Sequence, residues 1–591
     1  MKRIFKGVSI TTVVLSICFP SMVEAVSSDR NTASDYVPIN TELLSQNFDY
    51  KDFNFWANQC RVLAREQNYT EALAACERAI ALRPKSRNAE IWALRSEALL
   101  QLKRYAEAIA SYDFLLQRVP KDSLAWTRRC EALYQLGKYE DALASCSQAL
   151  LVNGNWGTGT PALAWYNKGL ALRKLGQNET ALESFDRVLA IDSSNSLALV
   201  ERCGTLTDLE RYEEALASCE QAKQAVPVLA LTNAAQAQQK AGQLESAIAT
   251  YDQLLALSPN NATAWTRQGT LFEKFGQTEK AMDSYNRAIQ INPKSSFAQV
   301  NRCTLLNQLE KYTEALAACD NAIAGDGIWG DRNPAYSWNQ RSSALIGLKQ
   351  YQDALTSAER AININDKFAE AWNNKGVILW YLEKYQDAQI AIQKAVDIAP
   401  TYSQAWFNQG RIFSTLKQYP PAIEAYEKAL LSQINTIENI SCVDILYNPN
   451  NQNLGELKPA ENILEAAKKS CAEILANKSV ASWNLRDYEN ALKSANQAIQ
   501  LNPKSFEAWY NQGVVLLDLG QYSEALDAYD QADKLNPHNF QILTAKGLAL
   551  QGMGENQKAL EAFEAALNIN PNYQPAQQYR DLLLEKFKTQ T

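Results

Sequence analysis

The sequence predicts an all-α solenoid of about 14 helix-turn-helix repeats, and three observations carry that prediction. First, an alanine recurs, usually at a step of 34 residues, at Ala72, Ala108, Ala142, Ala181, Ala215, Ala247, Ala281, Ala315, Ala354, Ala388, Ala422, Ala491, Ala525 and Ala559. Second, aromatic, small and proline residues keep register with it. Third, cysteines come in pairs at one fixed spacing. A period between about 20 and 50 residues marks an array of stacked units. Such a chain grows by adding units, so a length of 591 residues is not read as several ordinary domains.

The elements follow in order. Residues 1–25 read as a signal peptide. Lys2, Arg3 and Lys6 form a basic start, an apolar stretch runs from Val8 to Phe19, and Val23-Glu24-Ala25 offers small residues for cleavage. The apolar stretch is short for a membrane span. Cys18 in Leu15-Ser16-Ile17-Cys18 invites a lipoprotein reading, which the bulky Ile17 opposes, and retention as an anchor stays open. Residues 26–52, rich in Ser, Asp, Asn and Thr, read as a flexible leader. Units one to eleven fill 53–431, an atypical insertion fills 432–471, and units twelve to fourteen fill 472–571. Residues 572–591 read as a capping helix.

With the alanine set at position twenty of a 34-residue frame, units start at 53, 89, 123, 162, 196, 228, 262, 296, 335, 369, 403, 472, 506 and 540. Position four is Trp in nine units, among them Trp92, Trp126, Trp265, Trp372 and Trp509. Position eight is small, as at Gly169, Gly269, Gly376, Gly410, Gly513 and Gly547. Position 24 is often aromatic (Phe185, Tyr251, Tyr426, Tyr529), and position 32 is often Pro (Pro84, Pro120, Pro293, Pro400). Apolar residues at spacings of three and four predict two helices of about a dozen residues per unit. Small residues at eight and twenty allow close approach of the two backbones. Proline ends the second helix.

These residues resemble the tetratricopeptide repeat family, whose signature is W-x2-L-G-x2-Y, then A-x3-F, A and P. The stretch from Trp509 and Gly513 through Ala525, Tyr529, Ala532 and Pro537 fits closely, and the resemblance spans roughly 53–571 outside the insertion. It implies a right-handed superhelix with a concave groove that binds peptides or other proteins.

Three departures interrupt the frame. Two are matching insertions of five residues, Asn153-Gly154-Asn155-Trp156-Gly157 and Asp326-Gly327-Ile328-Trp329-Gly330, each followed by a Pro-Ala pair. Either their tryptophans fold back onto the helices or they are exposed anchors for a partner. The third is 432–471, read as a divergent fold-back element or a hinge between two sub-arrays.

Eight cysteines fall at positions eight and 24 of four units: Cys60 and Cys76, Cys130 and Cys146, Cys203 and Cys219, Cys303 and Cys319. These positions lie level on two antiparallel helices. Side chains lean toward each helix N-terminus, which shifts both sulfurs the same way. The spacing predicts four disulfides, each closing one hairpin, in an oxidising compartment. Cys442 and Cys471 border the insertion and form a fifth pair. With no CxxC motif and a single histidine, His538, no metal site is expected.

Position six is Asn in eight units: Asn58, Asn167, Asn233, Asn301, Asn374, Asn408, Asn477 and Asn511. An amide offers a donor and an acceptor. Some tetratricopeptide proteins use such a ladder on a peptide backbone, so the resemblance implies an extended polypeptide ligand there.

The net charge of −7 includes +2 from residues 1–25, leaving −9 on the remainder. That acidic body argues against nucleic-acid binding. No catalytic constellation, phosphate loop or cofactor motif is visible. The expected function is therefore a non-enzymatic, exported protein-interaction scaffold, in a bacterial periplasm, outside the cell or in a comparable oxidising lumen. The alternatives are an assembly factor or chaperone-like adaptor, or an envelope glycan-binding protein. No membrane span is expected once the signal is removed.

Overall fold

The computed structural model describes residues 52–83, 88–157, 159–432, 441–447 and 461–590. The signal peptide, nearly all of the leader, Pro84 and much of the 432–471 insertion lie outside these residues. Among the described residues there are thirty helices and a single isolated parallel bridge, between Asp122 and Asn155. Twenty-eight of the helices form fourteen antiparallel pairs, and Gln574–Gln590 closes the array. The chain forms two compact bodies, one through Val188 and one from Leu189 onward.

Local chemistry sets each unit. First helices start on a polar cap: the side chains of Asp122, Asn195, Asn261, Ser295 and Ser505 each accept a hydrogen bond from the backbone N–H three residues on. A side-chain acceptor there satisfies a donor the helix start leaves free. The turn between the two helices falls at position fifteen, and its backbone is left-handed in all fourteen units. Glycine fills it in six, as at Gly137 and Gly520; elsewhere Gln67, Lys103, Glu210, Glu310, Lys349, Glu383, Lys417 and Arg486 hold φ between 58° and 61°. Helices commonly end on such a residue, and glycine adopts it without a Cβ penalty.

All fourteen frame alanines are fully buried, at 0% exposure. Opposite them, positions eight and 24 meet in two alternative ways. In six units glycine at eight admits the side chain at 24. A Cβ on Gly169 would stand 2.7 Å from Phe185, on Gly410 2.4 Å from Tyr426, and on Gly513 2.5 Å from Tyr529. In four units both positions are cysteine. Their Sγ atoms lie 2.02 Å apart for Cys60 and Cys76, 2.14 Å for Cys130 and Cys146, 2.10 Å for Cys203 and Cys219, and 2.04 Å for Cys303 and Cys319. In these ten units one closely packed contact is thus filled either by a ring or, opposite Gly376, by Ile392 against bare backbone, or by two sulfurs.

The position-four tryptophans do more than fill space. The indole N–H of Trp126, Trp265, Trp372, Trp406 and Trp509 donates to the carbonyl six residues earlier, at 2.8–3.0 Å. In four of these the acceptor belongs to the proline that ends the preceding unit. Gln299 and Gln577 make the same bond with their amides, to Pro293 and Pro571. The bond fixes where one unit follows the next.

The insertion joins the array through one long helix. Glu461–Asn484 runs unbroken for 24 residues through the expected boundary at 471/472 and supplies the first helix of unit twelve. Cys471 on it pairs with Cys442 on the short helix Cys442–Tyr447, with Sγ atoms 2.05 Å apart. Leu464, Ala467, Ile474 and Leu475 bury into one core with Phe407 and Tyr426 before the insertion and Ala498 and Ala508 after it. The described part of the insertion thus shares one core with the units on either side of it.

Candidate functional site

Within each body the first helices of most successive units touch one another, whereas successive second helices are separated by the first helix between them. First-helix side chains therefore form a shared face wherever successive first helices touch. Positions two, five, six, nine and twelve contribute to it, and this is the candidate binding surface.

Four of the eight asparagines expected to line it as free amides hold neighbouring helices together. Asn233 donates to the Val200 carbonyl at 3.0 Å and Asn511 to the Ala476 carbonyl at 3.1 Å. Asn374 donates to Asn339 Oδ1 at 2.8 Å and to Ser343 Oγ at 3.0 Å, and Asn408 donates to Asn373 Oδ1 at 2.8 Å. Each of these bonds reaches back to the preceding first helix. Asn301 and Asn477 donate within their own helices, to Phe297 and Glu473. Asn167, Asn301 and Asn408 are buried, and Asn58 is exposed. Close packing of first helices thus draws four of the eight Nδ2 donors between units. The local pattern concealed this, because the acceptors lie about 35 residues away.

Side chains that the repeat frame did not single out shape the face more strongly. Trp380 and Trp483 occupy position twelve, and their indoles donate across to Thr415 Oγ1 at 2.9 Å and Asp518 Oδ2 at 2.7 Å on the following units. The Arg411 guanidinium sits 4.6 Å from the Trp380 ring centre and 5.8 Å from that of Phe407. A cation placed over a ring gains electrostatically from the ring's negative face. In units seven to nine, Glu273 accepts from the Tyr285 hydroxyl at 2.9 Å and from Gln308 at 3.1 Å. Burial raises the Glu273 carboxyl above its ordinary range, against the lowering effect of those two bonds and of Arg332.

The two matching insertions fold back onto their own units. Gly154 N–H donates to Ser123 Oγ at 2.9 Å, and Gly327 N–H donates to Ser296 Oγ at 3.1 Å. Each serine in turn donates to the second helix, to the carbonyl of Ala149 or Ala322. Both loops then cover the position-two side chain. Gly157 and Gly159 approach Leu124, and a Cβ on Gly330 would meet the Phe297 ring at 2.6 Å. Trp156 is half-buried, its indole bonded to Asn153 Oδ1 at 3.0 Å, and Trp329 is also half-buried.

Among the described residues no group of three or more His, Cys, Asp or Glu is placed to hold a metal ion, and no helix is long and apolar enough to cross a membrane.

A stack of two-helix units in which most successive first helices share a surface defines a repeat scaffold for binding proteins. Sequence models of the tetratricopeptide repeat match residues 58–160, 162–195, 232–296, 335–433 and 478–573. The chain belongs to the tetratricopeptide repeat family, whose arrays serve as protein–protein interaction scaffolds. No curated protein matches it. Similar solved structures include the APC/C hetero-tetramer Cut9–Hcn1, with 15% identity over 92% of this chain and 98% of that one and a TM-score of 0.49. They also include a tetratricopeptide repeat protein from Parabacteroides merdae, with 19% identity over 41% of this chain and 94% of that one and a TM-score of 0.34. YrrB, described as a repeat protein with an unusual peptide-binding site, shares 19% identity over 38% of this chain and 97% of its own, with a TM-score of 0.28.

Proposed function

We propose that this protein is an exported, non-enzymatic scaffold that holds an extended polypeptide along its first-helix face. The observation that carries the export reading is the cysteine arrangement. Five pairs stand at bonding distance, all ten paired cysteines are buried at 0–1% exposure, and four pairs recur at the same two frame positions. Disulfides persist in oxidising compartments and are rare in the cytosol. The basic and apolar start of the sequence points the same way. The first-helix face, with the indoles of Trp380 and Trp483 and the Arg411 guanidinium over a ring, supports the polypeptide reading.

The test is capture. Full-length oxidised protein is immobilised and exposed to an envelope extract, and bound species are identified by mass spectrometry and glycan analysis. Recovery of one protein near one-to-one supports the scaffold. A broad set of unfolded clients identifies a chaperone-like adaptor instead, and glycan without protein overturns the proposal.

A further inference from the structure

The connection 326–333 reaches farther than folding back requires. Its first half is pinned by polar bonds near its own unit: Asp326 accepts from the Ser296 and Ile328 backbone N–H groups at 3.2 and 2.9 Å and from Asn292 at 3.0 Å. Its second half is laid across neighbouring first helices. Asp331 makes a two-pronged pair with Arg267 of unit seven, 64 residues away in sequence, at 2.9 and 3.3 Å. Arg332 stacks on Tyr336 of unit nine, 4.2 Å from the ring centre. Gly330, with φ of 60°, brings the backbone down onto Phe297 of unit eight.

The sister loop isolates what this second half adds. It makes the same serine bond and covers the equivalent position-two residue, yet it carries Thr158-Gly159 where this one carries Asp331-Arg332. Folding back therefore needs neither charge. Arg267 shows only 18% of its side chain while Asp331 shows 64%, so the cation belongs to the face and the carboxylate to a visitor. A guanidinium fork matches a carboxylate, which accepts two parallel hydrogen bonds from it.

We infer that Arg267 forms a carboxylate-binding subsite on the first-helix face, that Asp331 fills it from within, and that a partner displaces Asp331 with an Asp or Glu side chain of an extended peptide. The inference rests on the reading that this face binds protein. The internal occupant is weakly held, because a partly exposed ion pair contributes little. A peptide that also contacts the flanking units replaces it.

The probe is the loop's own sequence, a fluorescein-labelled Gly-Ile-Trp-Gly-Asp-Arg-Asn peptide, followed by fluorescence anisotropy with full-length protein. Asp331→Asn empties the subsite without changing side-chain size. The variant binds the probe on the order of five-fold tighter than the parent chain, the scale of one partly exposed ion pair. Adding Arg267→Gln removes the gain, Arg267→Lys restores part of it, and a probe with Asn in place of Asp gains nothing. Equal binding by parent and Asp331→Asn, or a gain that survives Arg267→Gln, overturns the subsite. Partner capture by the Arg267→Gln chain is measured alongside. Capture that persists while the probe shows no gain sinks the subsite and leaves the scaffold reading standing; loss of capture by the parent chain itself would sink both.

Discussion

Replacing Cys130 and Cys146 together by alanine tests how the hairpins are held. In the structure these two residues are 16 apart in sequence, with Cα atoms 5.4 Å apart and no side-chain exposure. A covalent link across a loop of that length lowers the entropy of the opened state. The chain-entropy relation gives about 10 cal/mol/K, or about 3 kcal/mol at 25 °C. Because an array opens unit by unit, a global midpoint dilutes the effect. The readout is therefore native-state hydrogen exchange over Ser123–Gln135 and Tyr139–Val152, the two helices that the pair joins. The double variant should lower the local opening free energy there by about 3 kcal/mol, a protection loss of more than 100-fold, and leave unit fourteen unchanged. Reduction of the parent protein should reproduce it. A local change below about 1 kcal/mol in either experiment would refute the reasoning, since chain entropy predicts several times that.

Three further perturbations follow from the repeat frame. Gly513→Ala puts a Cβ 2.5 Å from the buried Tyr529 ring, so it should destabilise unit thirteen by about 1–3 kcal/mol by thermal or urea unfolding, although alanine is ordinarily the better helix former. Glu383→Gly meets a backbone already at φ of 60° and should raise stability by up to about 1 kcal/mol, measured as a higher urea midpoint; a loss would count against the left-handed turn. Trp509→Phe keeps a ring but removes the 3.0 Å bond to the Pro503 carbonyl, and local exchange at the junction of units twelve and thirteen should rise by an amount worth about 1 kcal/mol.

Much of this fold was legible because a stacked array repeats its contacts along the sequence. The recurrent alanine marked the tightest helix contact, and all fourteen copies are buried. Positions eight and 24 were readable as facing each other from the spacing alone. What stayed hidden depends on backbone conformation or on partners one or two units away. The left-handed residue at position fifteen was masked wherever Lys, Glu, Gln or Arg stands in for glycine, since only backbone geometry reveals it. Asn374 and Asn408 resembled free groove amides, but their acceptors lie on the preceding unit, so burial and bonding were invisible locally. The long helix Glu461–Asn484 hid its start because the insertion breaks the period that defines a unit. Arg267 and Asp331 are 64 residues apart, and no repeat rule links a loop acid to the first helix of the preceding unit.

Site-specific photo-crosslinking bears most directly on the claim that the first-helix face holds the partner. A photoreactive residue is placed at Glu370 or Val377 on the first helix of unit ten, or at the exposed Ile390 on its second helix, and irradiated with the captured partner bound. The account predicts covalent partner adducts from Glu370 and Val377 and none from Ile390. Adducts from Ile390 with none from the first-helix positions would contradict it.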